Sequence, residues 1–138
     1  MATLAMAHGK LPPFDDNLRL AEVVHLGVPA AVLRETAEEF GIGILELADV
    51  LQLPRRTVTR RLAQKKLLTP AESERILRVR RLLGLAGPIF ESGDLARRWF
   101  VRPLRALGGK SPLQLCSSEP GGREVESVLG RIDHGVIG

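Results

Sequence analysis

The stretch ILELADVLQLPRRTVTRRLAQKK, residues 44–66, decides the fold. Ile44, Leu47, Ala48 and Leu51 recur at helical spacing and make one apolar face. Gln52-Leu53-Pro54 interrupts the pattern, and a second helix is expected at once over residues 55–65, with Val58 and Leu62 four apart on its core side. Two short helices joined by a tight turn, the second basic at its start, form the pattern of a helix-turn-helix. Residues 44–51 would be the support helix and residues 55–65 the recognition helix. With Val58 and Leu62 turned inward, Arg55, Arg56, Thr59 and Arg60 lie outward near the amino end and are the candidate DNA-binding residues. The planar arginine fork suits the task because it can bond both major-groove acceptors of guanine or clamp a phosphate. A turn of this kind often carries glycine, and this one has none. Pro54 can still set the approach to the second helix.

Charge points the same way. Between Pro54 and Arg81 ten basic residues stand against Glu72 and Glu74, a local charge of +8, so with a net charge of +4 the remainder sums to −4. An arginine pair alone would suit the solvated side of any amphipathic helix. A compact basic block beside a helix-turn-helix pattern favours a polyanion, usually nucleic acid. Such readers usually bind two half-sites, so a homodimer is expected.

The rest of the chain reads as all-α, because Leu, Ala and Val dominate its apolar residues and Tyr is absent. Residues 1–17 lack periodicity and are read as a flexible arm. Residues 18–86 form the DNA-binding domain: a helix from near Leu18 to Gly27, another from Pro29 to Gly41, the two helices quoted above, and a long one capped by Thr69-Pro70-Ala71-Glu72. That long helix is expected to end near Leu85, presenting Ile76, Val79 and Leu83 to a core and Arg75, Arg78 and Arg81 along one side. The glycines and proline between Gly84 and Gly93 suggest a soft boundary. Residues 87–138 follow as a second helical domain, with a helix carrying Leu95, Trp99 and Phe100, a short piece from Ser111-Pro112 to Leu115, and a turn at Glu119-Pro120-Gly121-Gly122. Beyond it Val125, Val128, Leu129, Ile132 and Val136 form one apolar stripe.

Two segments of this half resemble a known family. Trp99-Phe100-Val101-Arg102-Pro103-Leu104-Arg105-Ala106-Leu107-Gly108-Gly109-Lys110-Ser111-Pro112-Leu113 is similar to the signature of the Xre/MbcA/ParS antitoxins, and Val128-Leu129-Gly130-Arg131-Ile132-Asp133-His134-Gly135-Val136 resembles that family's last helix. The likeness extends over residues 24–136 and takes in the recognition helix and the cap after it. It implies an antitoxin of a type II toxin–antitoxin system whose partner carries a RES domain, a toxin class that depletes NAD. It also implies masking of the toxin's cleft, repression of the antitoxin's own operon through operator DNA, and a larger hetero-oligomer with the toxin. The toxin-binding residues expected on this basis are Arg131, Asp133, His134, Val136 and Ile137. Their bland alternative is the polar side and core stripe of a terminal helix. A stand-alone helix-turn-helix regulator without a toxin partner is the alternative function.

Other functions find little footing. A single cysteine, Cys116, makes no internal disulfide, and with three scattered histidines it cannot assemble a tetrahedral zinc site, so no metal and no cofactor are expected. No run of about 18 apolar residues occurs and no signal peptide is evident, which predicts a cytoplasmic protein. Catalysis by Ser111 or Ser127 with His134 and Asp133 fails on geometry, since neighbours on one helix cannot point the same way. Nothing near Cys116 lowers its thiol pKa. Gly108-Gly109 lacks the lysine and hydroxyl of a phosphate loop and reads as a helix-approach turn. Trp99 is expected in the core, and His25 as a satisfied structural histidine.

Overall fold

A computed structural model describes residue 11 and residues 13–135. The described chain is all-α. Helix α1 (Asn17–Leu26) starts where the Asp16 side chain accepts from the Arg19 amide, and ends where Gly27 bonds back to Val23. Gly27 has a φ of +100°, and a side chain there would meet the Leu68 carbonyl. Helix α2 spans Ala31–Phe40. It begins two residues later than expected, because Pro29 is held in a bridge to Leu67, with the Leu68 amide on the Val28 carbonyl at 2.7 Å. Helices α3 (Ile44–Val50) and α4 (Arg55–Ala63) follow, α4 stopping two residues sooner than expected because Lys65 is left-handed at φ 52°.

Helix α5 (Pro70–Phe90) organises the molecule. Its first turn closes a capping box: the Thr69 amide donates to Glu72 Oε1 at 2.9 Å and the Glu72 amide to Thr69 Oγ1 at 3.2 Å. The helix does not soften at Gly84. It runs through Gly84, Gly87 and Pro88 and stops only at Glu91, which is left-handed at φ 57°. Two interior glycines and a proline together cost about 5 kcal/mol of helix propensity, whereas each leucine, isoleucine or phenylalanine side chain taken out of water contributes about 1.5–3. Leu82 and Ala86 are fully buried, Ile89 and Phe90 pack on the same core, and packing outweighs the local signal.

Helix α6 (Gly93–Phe100) is capped by the Ser92 hydroxyl and folds back on α5. Phe100 is buried, and Trp99 lies half-buried between Phe90 and Phe100, each ring centroid 5.4 Å away. Leu95 is 49% exposed, and His25 is exposed on α1. A 3-10 turn (Arg105–Leu107) and the short α7 (Pro112–Leu115) lead to α8 (Glu119–Asp133). The expected turn at Glu119-Pro120-Gly121-Gly122 is instead the first turn of α8, capped by Ser118. Both glycines are there for close approach. A Cβ on Gly121 would strike the Leu115 carbonyl, and one on Gly122 would sit 2.6 Å from Arg78 Cδ.

One contiguous core runs from Val23 and Val28 through Ile76, Val79 and Leu82 to Val125 and Leu129. The two halves therefore share α5 and its buried face. Leu11 and Phe14, at the end of the expected arm, pack against that core. No described helix is long and apolar enough to cross a membrane.

Candidate nucleic-acid and partner interfaces

The predicted helix-turn-helix is present. Val58, Leu51 and Leu53 are buried and Leu62 is partly so, which locks α4 against α3 and fixes the outward face of α4. The missing glycine is explained by Gln52. It takes the left-handed conformation itself, at φ 58°, at a cost of roughly 1–2 kcal/mol for a residue with a Cβ. Arg75 compensates from α5. Its Nη1 donates to the Gln52 carbonyl at 2.9 Å and to the Leu51 carbonyl at 3.3 Å, binding the turn to the central helix.

The basic block divides sharply. Arg55 does not stand free: its Nε donates to Asp49 Oδ1 at 2.9 Å and Oδ2 at 3.1 Å, and its Nη2 closes the pair. The Arg55 guanidinium holds the Asp49 carboxyl below the usual carboxylate range, chiefly through these hydrogen bonds. Arg61 pairs with Glu72 at 2.9 Å. On α5 the arginines Arg75, Arg78 and Arg81, expected along one side, are all engaged within the molecule. Arg78 is 9% exposed, paired with Glu74, and donates from Nη1 to the Cys116 carbonyl at 2.9 Å. Arg80 pairs with Glu39 and Arg81 with Glu126, the latter at 2.8 Å. Burial lowers the Arg80 pKa, an effect the Glu35 charge opposes.

With Arg75 committed to carbonyls, six of the ten basic residues of the block are engaged inside the molecule. The other four, Arg56, Arg60, Lys65 and Lys66, are exposed and make no ion pair among the described residues. Arg56, Thr59 and Arg60 share the outward face of α4. That face is the candidate DNA interface, and Arg55 stands exposed at its amino end, paired with Asp49.

The second candidate interface is the end of α8. Val125, Val128 and Leu129 are buried, but the apolar stripe does not stay inside: Ile132 is 37% exposed. Asp133 and His134 are exposed, and Arg131, half-buried, donates from Nη1 to Ser127 Oγ at 3.1 Å. His134 Nδ1 lies 2.7 Å from the Gly130 carbonyl, so that nitrogen carries the proton and donates, leaving Nε2 toward solvent. The last turn of α8 thus presents a carboxylate, an imidazole and a partly exposed isoleucine together. Val136 and Ile137, also expected to face the toxin, lie outside the described residues.

Cys116 is buried at the end of α7, where desolvation pushes its thiol up to about 12. A thiol at that value is not the thiolate that nucleophilic chemistry needs. Gly108 and Gly109, at φ 68° and 83°, close a tight turn that returns the Lys110 carbonyl to the Leu104 amide at 3.0 Å. Among the described residues no group of three metal-ligating side chains comes together.

Comparison with known proteins assigns a domain to each half of the chain. Residues 19–81 match the Antitoxin Xre-like helix-turn-helix domain, and residues 85–135 match the Antitoxin Xre/MbcA/ParS C-terminal toxin-binding domain. The chain is 33% identical over 120 residues to an Antitoxin Xre of Yersinia enterocolitica, covering 86% of this chain and 80% of that protein. It is 28% identical over 126 residues to an Antitoxin Xre of Photorhabdus laumondii, covering 91% and 85%. A Prs ADP-ribosylating antitoxin of a Sphingobium species is 30% identical over 124 residues, covering 83% and 78%.

Proposed function

The chain belongs to the Xre/MbcA/ParS-type antitoxin family, and from that premise we propose that it neutralises a RES-domain, NAD-consuming toxin with the end of α8 and represses its own operon with α4. The observation that carries the first half is the last turn of α8. Its apolar stripe is used up by Leu129, and Ile132, Asp133 and His134 stand exposed. A rigid helix that offers a mixed polar and apolar end has the form required to fill a ligand cleft. Arg131, Asp133, His134, Val136 and Ile137 are the residues proposed to meet the toxin. The Sphingobium relative is named for ADP-ribosylation, a chemistry that, like NAD depletion, begins at an NAD-shaped cleft.

Repression rests on the four cations that α4 and its carboxyl end keep free. Arg56, Thr59 and Arg60 read the groove, while Lys65 and Lys66 hold backbone phosphate. A homodimer would place two such helices on two half-sites, with toxin joining as a larger cytoplasmic assembly. A regulator without a toxin would leave the α8 end unused.

The test is co-expression with the cognate RES-domain toxin that this reading requires. The full chain rescues growth, keeps cellular NAD high and co-purifies with the toxin, whereas a chain ending at Gly130 folds but fails on all three. Rescue by the shortened chain would overturn the α8 assignment.

A further inference from the structure

The −4 left outside the first basic block conceals a second one. From Leu95 to Ser118 the chain has no acidic residue but five basic ones: Arg97, Arg98, Arg102, Arg105 and Lys110. Arg98 is paired with Asp94 at 2.9 Å. Arg102, Arg105 and Lys110 are exposed and make no ion pair among the described residues.

Their position is informative. Asp49, Val50 and Gln52, at the end of α3 and in the turn before α4, share a cleft with Lys110, Gln114 and Ser117 of the C-terminal half. Asp49 is also the residue that pairs with Arg55 at the amino end of α4, so its charge is already neutralised. Pro103 of the same loop shares a second cleft with Glu46 and Val50 of α3, so the 102–110 loop lies along α3 and the turn that leads to α4. The loop is stiff, because the Leu104 amide bonds Lys110 and the Gly109 amide bonds Leu104 at 2.9 Å. Arg78 and Arg81 fasten this half to α5 through Cys116 and Glu126, so the loop is held at a set place relative to α4.

A helix seated in a major groove about 12 Å wide has a phosphate strand on each side. We propose that Arg102, Arg105 and Lys110 form a second DNA contact, gripping the backbone beside α4, so that the C-terminal half shares in DNA binding. This rests on the reading of α4 as the DNA reader. Proximity to the helix-turn-helix favours DNA over an acidic protein surface as the occupant. Phosphate contacts carry no sequence information, so the effect falls equally on any duplex.

The test uses the full chain and a random-sequence duplex of about three helical turns, with the binding constant followed against KCl concentration. Changing Arg102, Arg105 and Lys110 together to Gln is expected to lower the slope of log Kobs against log salt by about 2 to 3, near 0.9 per lost phosphate contact. All three side chains are exposed, and an unchanged melting curve shows the fold intact. If this triple variant keeps the wild-type slope while Arg56→Gln/Arg60→Gln lowers it, the second contact is wrong and the α4 reading stands. If the wild type binds no duplex, both are wrong. If the triple variant keeps its slope but no longer co-purifies with toxin, the surface belongs to a protein partner and the proposal is overturned.

Discussion

Helices α4 and α5 both draw on the same basic block, yet they put it to opposite uses. On α4 one side is buried through Val58 and Leu62 and the other is open, so Arg56 and Arg60 have nothing to pair with but solvent or a ligand. On α5 most of the surface has a neighbour, with α1, α6 and α8 packed around it, and its arginines bind the molecule together. The contrast teaches that a sequence charge count measures the supply of cations, while the number of packed sides on a helix decides how many remain for a partner.

Arg78 should break the contrast most severely. Arg78→Met removes a buried guanidinium, orphans the Cys116 carbonyl and empties the space beside Gly122, which should cost about 2–3 kcal/mol of stability. Chemical denaturation is expected to show that loss, while the folded fraction keeps the share of duplex binding that α4 supplies. Gly122→Ala attacks the same latch from α8: a methyl 2.6 Å from Arg78 Cδ is expected to destabilise by about 2 kcal/mol through overpacking. If Arg78→Met were neutral, the α5 arginines would not be structural.

A subtler change moves a cation from one use to the other. Asp49→Asn releases Arg55, and the salt slope of DNA binding should steepen by about 1. Acid should act in the same sense. Asp49 is held below its ordinary pKa, so the pair contributes stability above the unfolded value and loses it as pH falls through the depressed folded one. Because both side chains are largely exposed, the unfolding midpoint should barely move. A melting temperature that fell sharply would show the pair to be structural instead.

Much of this was legible in the residues. The α3 and α4 pattern, the Thr69 cap and the buried positions of α8 through Leu129 follow from local periodicity and capping chemistry, and the structure holds them. What was not legible is non-local. Arg81 finds Glu126 45 positions away, and Arg75 reaches a turn 23 positions back. No periodicity encodes such pairings, so spacing places the α5 arginines along one side but names none of their partners. Gly84, Gly87 and Pro88 misled in the same way, since their helix-breaking tendency is real but smaller than the burial that carries α5 to Phe90. Ile132 belonged to the stripe by spacing, but the protein body ends before it does.

The central claim is that DNA and toxin are met by separate surfaces, the four free cations around α4 and the last turn of α8. Arg56→Ala/Arg60→Ala, measured in one preparation for binding to the duplex upstream of its own gene and for toxin neutralisation, tests it directly. The account predicts that duplex affinity falls by at least about tenfold and the salt slope by about 2, with stability within about 0.5 kcal/mol of wild type and neutralisation intact. Unchanged duplex affinity, or loss of neutralisation in the folded variant, would contradict it.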